Sequence, residues 1–403
     1  MERMDPAEQH ATGQSPRQTT RQTTGQTTGQ ALTAGVVAAA VGFSSSFVVV
    51  LAGLQAVGAS TAQATSGLVV LCLAQAAGMV WLALRHRQPL ALAWSTPGAA
   101  LLLTTGAVEG GWSAAVGAFA VTGLLILATA LLPRLGDLVA AIPVPLAQAM
   151  LAGVLLPICL EPVTALADAP ATVGPVVLTW LLLARVAPRM AVPASLIVAL
   201  VVIAVTADAA VDAAPRLVFE TPSWSPSAVL AIALPLYVVT MASQNVPGVA
   251  VMAGLGYRVP WRDSLATTGV GTLLSAPFGG HAVNLAAITA ALAAGPDAGP
   301  DPRRRWPASL GAAGAYVVLA ATAGLVTGLV AAAPAGIVEA AAGLALLGTL
   351  AASLRASLAE EDDRLPATLT LVVAASGVSL LGVGAAFWAL VVGIAARWWL
   401  SRA

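Results

Sequence analysis

The chain has 403 residues, of which 58% are apolar and only 9% are charged, and its mean hydropathy is +0.88. Soluble domains carry about 25% charged residues, so this chain has too little charge to cover a surface that faces water. Its 18 basic and 18 acidic residues cancel to a net charge of zero. These quantities exclude a soluble enzyme, a nucleic-acid-binding protein and a secreted disulfide scaffold. They indicate an all-α polytopic protein in a lipid bilayer.

The N-terminal segment is unlike the rest of the chain. Residues 1–30 are polar and contain the near-repeat RQTTRQTTGQTTGQ, without the apolar stretch that a signal peptide requires. Such a composition cannot bury enough apolar surface to fold. We therefore predict a disordered cytoplasmic tail over residues 1–30.

Fourteen apolar runs follow, separated by short clusters of charged residues, Pro and Gly, and each run predicts a transmembrane segment. The third, ninth and tenth runs are short and are interrupted by Pro and Gly. The runs cover about 31–56, 63–84, 89–106, 112–132, 138–160, 171–187, 191–208, 227–253, 263–277, 279–294, 308–330, 334–355, 366–383 and 384–401.

The distribution of arginine supports fourteen segments. If the N-terminus is cytoplasmic and the sides alternate, every arginine except Arg216 falls in a cytoplasmic loop or terminus. Cytoplasmic loops of membrane proteins carry an excess of basic residues. We therefore predict a multi-pass protein of the bacterial inner membrane with both termini in the cytoplasm.

The chain also contains an internal repeat with an offset of about 190 residues. The segment FVVVLAGLQAVG at 47–58 aligns with YVVTMASQNVPG at 237–248. We predict a first repeat of seven segments over 31–208, an external linker over 209–226 and a second repeat over 227–403. Because seven is odd, the second repeat is inverted in the bilayer, which is typical of secondary transporters. The alternative is a chance self-alignment of Ala-, Val- and Gly-rich sequence.

Two interrupted segments, the third and the tenth, indicate where a ligand binds. The third carries Pro97-Gly98, and the tenth begins after Pro277 and Gly279-Gly280. We expect an extended stretch followed by a half-helix in each, beginning near Gly98 and near Gly280. The free N–H groups at two half-helix starts would bind an anion without a buried cation. Simple helix kinks are the alternative.

Polar side chains at a similar depth are further candidates, since such groups in a bilayer face a cavity or a partner helix. They are Ser44–Ser46 in the first segment, Gln244 and Asn245 in the eighth, and His281 and Asn284 in the tenth. The serines could equally serve packing. His281 could bind a carboxylate or carry a proton, or it could be a structural histidine.

Glu339 in the twelfth segment is a second candidate for proton coupling. It could also lie at the outer interface or cap a helix that begins near Pro334. Cys72 and Cys159 lie in apolar runs and are expected to be buried without forming a disulfide or a metal site. The sequence contains no phosphate-binding loop of the ATPase type. We expect no cofactor, no metal and no nucleic-acid partner.

Several segments resemble the benzoate/proton symporter family (benzoate membrane transport protein, BenE), which is related to nucleobase permeases of the seven-plus-seven inverted-repeat fold. The matching segments are VGFSSSFVVVL, QAVGAS, AWSTPGAALL, AMLAGVLL, SQNVPGVAVM, APFGGHAVNLAAITAAL and AAGLALLGTL, and the resemblance covers about 31–400. It implies a core domain of segments one to four and eight to eleven, and a gate domain of the other six. It also implies a substrate between the third and tenth segments, against the first and eighth.

The chain departs from its nucleobase-transporting relatives at two positions. A bacterial uracil permease has acidic residues where this chain has Gln244, or its neighbour, and His281. Their absence argues against a nucleobase, whose ring N–H groups require an acceptor, and favours an anionic substrate. It also leaves the proton carrier open between His281 and Glu339.

Together, these features predict a secondary active transporter, not an enzyme, that imports benzoate or a similar aromatic carboxylate with a proton. The N–H groups near Gly98 and Gly280 would hold the carboxylate, and the ring would lie near Phe43 and Phe278. The alternatives are another organic anion, a nucleobase or an uncoupled anion channel, and a homodimer is left open. The predicted substrate-binding residues are Phe43, Ser45, Ser46, Thr96, Gly98, Gln244, Asn245, Phe278, Gly280, His281 and Asn284.

Overall fold

The computed structural model describes residues 16–132, 134, 142–206, 214–378, 380 and 384–400. Each of the fourteen predicted segments contains at least one helix, and eight helices in the described part are long and apolar enough to cross a bilayer. The elements are α1 (Pro16–Ser44), α2 (Phe47–Ala56), α3 (Thr61–His86), β1 (Leu92–Trp94), α4 (Thr96–Thr105), α5 (Gly111–Leu131), α6 (Val144–Asp168), α7 (Pro170–Val186), α8 (Pro188–Thr206), α9 (Pro226–Gly254), α10 (Trp261–Ser275), β2 (Val283–Leu285), α11 (Ile288–Ala294), α12 (Pro307–Ala331), α13 (Ile337–Ser357), α14 (Arg364–Ala375) and α15 (Ala385–Leu400).

The first helix begins earlier than the sequence predicts. Residues 1–15 of the predicted disordered tail lie outside the described residues, and the structure includes residues 16–30 in α1, which begins at Pro16. Extending an existing helix by one residue adds a hydrogen bond without the cost of a new nucleus. The helix formed by the apolar part of α1 can therefore propagate into the polar repeat. Gln30 at the end of this repeat donates to the carbonyl of Asp297 at 3.1 Å.

The interrupted third and tenth segments meet at the centre of the molecule. Strand β1 pairs antiparallel with β2, with Ala93 opposite Asn284 and Leu92 opposite Leu285. This pairing satisfies the backbone groups that the breaks in the two helices release, as an apolar environment requires. Helix α4 then begins at Thr96, as expected near Gly98.

The second half-helix does not begin where the sequence predicts. The segment around Gly280 forms a tight turn, in which Gly279 has φ +93° and the Gly280 N–H donates to the Ser275 carbonyl. The chain then runs extended through β2, and α11 begins only at Ile288. The prediction of a helix start near Gly280 is therefore wrong, because these residues are used for the turn and the strand pair.

The helices divide into two packed groups. In the core domain, α3 and α1 pack on α12, and α5 packs on α10. In the gate domain, α6 packs on α13 and α14, and α7 packs on α8. These contacts match the division into core and gate that the family resemblance implies.

A buried arginine closes the end of the second half-helix. The Arg305 guanidinium donates to the carbonyl oxygens of Ala294, the last residue of α11, at 2.8 Å and of Gly299 at 2.7 Å. Carbonyls at a helix end have no partner within the helix, so this side chain replaces the missing donors.

We expect Arg305→Ala to destabilise the protein, because each buried carbonyl left without a donor costs about 1–3 kcal/mol. Cys72 and Cys159 are free and buried, so a thiol-reactive dye reports unfolding on heating. The exposed Arg303 provides the matched control, since its side chain makes no hydrogen bond among the described residues. Equal unfolding midpoints for Arg305→Ala and Arg303→Ala would contradict this role.

Candidate functional site

A cavity of about 350 Å³ lies between the core and the gate. The break between α1 and α2, the strand β1, the start of α4 and parts of α9, α11 and α12 form its core side, and α8 and α13 form its gate side. Its lining comprises Val41, Gly42, Ser45, Ser46, Ala93, Trp94, Thr96, Pro97, Pro188, Arg189, Val192, Pro193, Gln244, Ala286, Ala287, Thr289, Ala291, Leu292, Tyr316, Ala345, Leu346, Gly348 and Thr349.

Two aromatic side chains form one wall of this cavity. The rings of Trp94 and Tyr316 lie 6.1 Å apart at a steep angle, and the ring of Phe43 packs behind Trp94 at 5.7 Å. Such edge-to-face contacts fix the orientation of the rings. The predicted aromatic residue Phe43 therefore supports the wall from behind rather than lining the cavity.

The serines at the break between α1 and α2 hold this wall in place. Ser45 and Ser46 both line the cavity, and both hydroxyls donate to the carbonyl of Gly42, at 2.9 and 3.2 Å. The Ser46 oxygen also accepts from Trp94 Nε1 at 2.8 Å. Ser46 thus fixes the indole, and its own hydrogen-bonding capacity is used within the protein.

Five polar side chains line the cavity without a hydrogen-bond partner among the described residues, namely Thr96, Gln244, Thr289, Tyr316 and Thr349. The N–H of Thr96, at the first position of α4, likewise lacks an acceptor there. These groups are therefore free to donate hydrogen bonds to a ligand or to water in the cavity. Among the described residues, no acidic side chain lines the cavity.

Gly98 is not part of the lining. Its N–H donates to Ser95 Oγ at 3.1 Å and is therefore already used. A Cβ at this position would lie 2.3 Å from Leu236 Cδ1, so the Leu236 side chain on α9 would have to shift to admit a larger residue. Gly98 serves the packing of α4, and Thr96 offers the free N–H instead.

His281 is completely buried, one layer behind the cavity. Its Nε2 lies 3.0 Å from the Ser95 carbonyl, and since a carbonyl only accepts, Nε2 carries a proton. The other ring nitrogen, Nδ1, has no partner among the described residues. Ser95 also accepts from Thr240 Oγ1 at 2.8 Å and directly precedes Thr96 of the lining. The hydrogen bond to Ser95 therefore connects His281 to the cavity.

The remaining predicted residues lie elsewhere. The Asn245 side-chain oxygen accepts from the Leu285 N–H at 2.9 Å and thereby holds β2 in place. Asn284 is buried within β2, and its side-chain amide donates to the Leu285 carbonyl. Gly280 belongs to the turn before β2. Phe278 is not at the cavity, because its ring packs on Phe219 beside a groove on the far side of the core.

Glu339 does not reach the cavity either. Its Oε2 accepts from the Gly336 N–H at 3.1 Å, and it forms a cap at the start of α13. This is the capping alternative that the sequence left open. The part of α13 that lines the cavity, Ala345–Thr349, begins almost two turns later. Within the described residues, no group of three or more His, Cys, Asp and Glu side chains could hold a metal ion.

An ion pair joins gate and core at the cavity mouth. Arg189 at the start of α8 lies 3.0 Å from Asp297, which follows α11, and both side chains are mostly exposed, at 76% and 62%. Of the described residues that line the cavity, Arg189 is the only charged one. The cavity therefore opens at the end of the molecule where the arginines gather.

We expect Arg189→Gln to widen this mouth with little loss of stability, since exposed pairs contribute about 0–1 kcal/mol. With Thr349→Cys as a reporter in the cavity, a water-soluble maleimide is expected to label the thiol several times faster once the pair is removed. Arg304→Gln breaks a pair with Asp301 inside the core domain and is the matched control. Equal labelling rates in both variants would show that the pair does not restrict the mouth.

The packing of a core against a gate, with two interrupted segments meeting at the centre, defines a transporter of the seven-plus-seven inverted-repeat class. Two solved structures share this fold. The transmembrane domain of a cyanobacterial bicarbonate transporter, BicA, matches 91% of this chain and 97% of its own, with a TM-score of 0.58 and 15% identity. SLC26A9 matches 91% of this chain and 65% of its own, with a TM-score of 0.55 and 12% identity.

The family follows from sequence. The family model described as benzoate membrane transport protein matches residues 25–398, and the chain belongs to this family of membrane transporters. The inner membrane protein YdcO of Escherichia coli (strain K12) is 40% identical over 366 residues, which are 89% of this chain and 93% of that protein. The benzoate membrane transport protein of Acinetobacter baylyi is 30% identical over 376 residues, 92% of this chain and 94% of that protein. The resemblance stated from the sequence is confirmed.

Proposed function

We propose that this transporter imports benzoate, or a closely related aromatic carboxylate, together with a proton. The observation that carries the proposal is the combination, in one cavity, of an aromatic wall and free hydrogen-bond donors without an acidic side chain. The ring of the substrate would lie against Trp94 and Tyr316. Its carboxylate would accept from Thr96, Gln244 and the Tyr316 hydroxyl. The name of the relative from Acinetobacter baylyi supports the same substrate.

Coupling to a proton follows from the charge of the substrate. Moving an anion inward against a negative-inside potential costs about 2.3 kcal/mol per 100 mV, and a proton moved with it cancels this cost. We assign the proton to His281, because its Nδ1 is buried and unpartnered and its Nε2 is joined to the cavity through Ser95. Glu339 already serves as a helix cap and is the second candidate.

The test is uptake of labelled benzoate into proteoliposomes that contain the purified wild-type protein, with and without an inward proton gradient. We expect saturable accumulation that depends on the gradient. Flux that neither saturates nor responds to the gradient would favour an uncoupled channel. Absence of benzoate uptake, together with saturable uptake of labelled uracil or of a labelled aliphatic carboxylate, would assign the site to another substrate.

We further propose that both termini lie in the cytoplasm, with the arginine-rich end of the molecule on that side. Arg85 lies at this end next to Asp263, Arg189 lies next to Asp297, and Arg305 donates to the carbonyl of Ala294 at the end of α11. Labelling of single cysteines in intact and permeabilised cells tests the orientation. A cysteine after residue 400 that reacts in intact cells would reverse it.

A further inference from the structure

A second, larger cavity lies on the outer surface of the core. It has a volume of about 630 Å³ and forms a groove between α3 and α10. Its walls are almost entirely apolar, and neither α3 nor α10 offers it a charged side chain. The groove is lined by Val70, Leu73, Ala74, Ala77, Gly78, Trp81, Ala266, Thr267, Val270, Gly271, Leu274, Ser275 and Phe278.

The length of the groove matches one leaflet of a bilayer. Along α3 it extends from Val70 to Trp81, and at 1.5 Å per residue this distance is about 16 Å. The hydrocarbon core of a bilayer is about 30 Å thick, so one leaflet contributes about 15 Å. An acyl chain of a single lipid therefore fits the groove from end to end.

One end of the groove has the features of a membrane interface. Trp81 is half-exposed there, and the Arg85 guanidinium lies 5.7 Å from the centre of its ring. Tryptophan and arginine are enriched where apolar surface meets lipid headgroups. At the other end, Phe278 lines the groove and contacts Phe219. Trp81 and Arg85 thus mark the end of the groove at which a lipid headgroup would lie.

The charges at the open end favour an anionic headgroup. Asp263 at the start of α10 is the acidic residue nearest the opening, and it is already paired with Arg85 Nε at 2.8 Å and with His86 Nε2 at 3.0 Å. The terminal nitrogens of Arg85 make no hydrogen bond among the described residues, and its side chain is 54% exposed. Arg262 also lies at this end, and its Nε donates a hydrogen bond to the Ala130 carbonyl.

We propose that this groove binds one anionic phospholipid, with an acyl chain between α3 and α10 and the phosphate at Arg85. The binding site lies on the core domain, separate from the cavity between core and gate. The lipid comes from the leaflet at the arginine-rich end, where anionic headgroups are attracted by basic residues. The proposal does not depend on the identity of the transported substrate.

Native mass spectrometry of the full-length protein in detergent tests the proposal, with dioleoylphosphatidylglycerol and dioleoylphosphatidylcholine as the probes. Ala77→Phe fills the groove, and we expect it to weaken binding of the first phosphatidylglycerol by at least about fivefold. Ala321→Phe places the same side chain on the exposed surface of α12 and is the matched control. Val270→Trp fills the groove from the opposite wall and repeats the test if Ala77→Phe does not fold.

The headgroup is tested separately. Arg85→Gln is expected to abolish the preference for phosphatidylglycerol over phosphatidylcholine, whereas Arg355→Gln, an exposed arginine away from the groove, is expected to retain it. The proposal is overturned if Ala77→Phe and Ala321→Phe bind phosphatidylglycerol equally well. It is also overturned if the wild type binds both lipids with the same affinity, or if a detergent molecule stays in the groove at saturating lipid.

Discussion

His281→Gln is expected to abolish gradient-driven accumulation of benzoate while leaving benzoate exchange across the membrane intact. The Nε2 of glutamine can donate to the Ser95 carbonyl as the imidazole does, but glutamine does not bind a proton. Without the proton, the negative-inside potential opposes the anion by about 2.3 kcal/mol per 100 mV, or roughly fiftyfold in the accumulation ratio. Exchange of external for internal benzoate moves no net charge and does not require the proton.

The measurement compares net uptake and counterflow in proteoliposomes for three proteins: wild type, His281→Gln and His281→Ala. Ala removes both the proton site and the contact with Ser95, so it is expected to impair counterflow as well. Glu339→Gln keeps the oxygen that accepts from Gly336 and is expected to accumulate benzoate like the wild type. Accumulation by His281→Gln together with its loss in Glu339→Gln would assign the proton to Glu339.

Tyr316→Phe is expected to weaken benzoate binding by at least tenfold without affecting the fold. The substitution removes only the hydroxyl, which has no partner among the described residues and lies at the cavity. A hydrogen bond to a charged group contributes about 1.5–3 kcal/mol, which corresponds to a factor of about 10 to 150 in Kd. The ring contact with Trp94 stays in place.

Tyr237→Phe provides the control for this substitution. The Tyr237 hydroxyl is paired with Thr129 Oγ1 between α9 and α5, away from the cavity, so the change costs stability rather than affinity. Isothermal titration of benzoate into both purified variants distinguishes the two effects. Equal affinities in Tyr316→Phe and wild type would remove the Tyr316 hydroxyl from the site.

The sequence predicts the order of the segments and the family well, because both depend on local patterns. Apolar runs of bilayer length, the arginine distribution and the Ser-Thr-Pro-Gly motif at 95–98 are all properties of short stretches. The sequence accordingly predicts the start of α4 within two residues of its position at Thr96. Thr96 lies at the cavity because the break that marks it in the sequence also forms a wall, and Ser45, Ser46 and Gln244, which the sequence marks as polar side chains at a similar depth, line it too.

The residues that the sequence misplaces depend on contacts between distant segments. Tyr316 lies in an ordinary apolar helix, and only the packing of α12 against α1 and α3 brings it to the cavity. Phe278 belongs to the same Pro- and Gly-containing segment as Gly280. The turn at Gly279, however, places the Phe278 side chain on the lipid-facing side of the core. Trp94, in contrast, could be found from the sequence, because it directly precedes the motif at 95–98 that marks the interrupted third segment.

The strand pair at the centre also constrains how the protein is made. Leu92 pairs with Leu285, about 190 residues later, so β1 has no partner while the first half of the chain is synthesised. At about 5–20 residues per second, translation needs roughly 10–40 s to reach β2. During this interval the unpaired edge of β1 must be shielded from hydrocarbon, because free backbone groups are not tolerated there. The first repeat therefore cannot mature alone, and its completion has to wait for the tenth segment to insert.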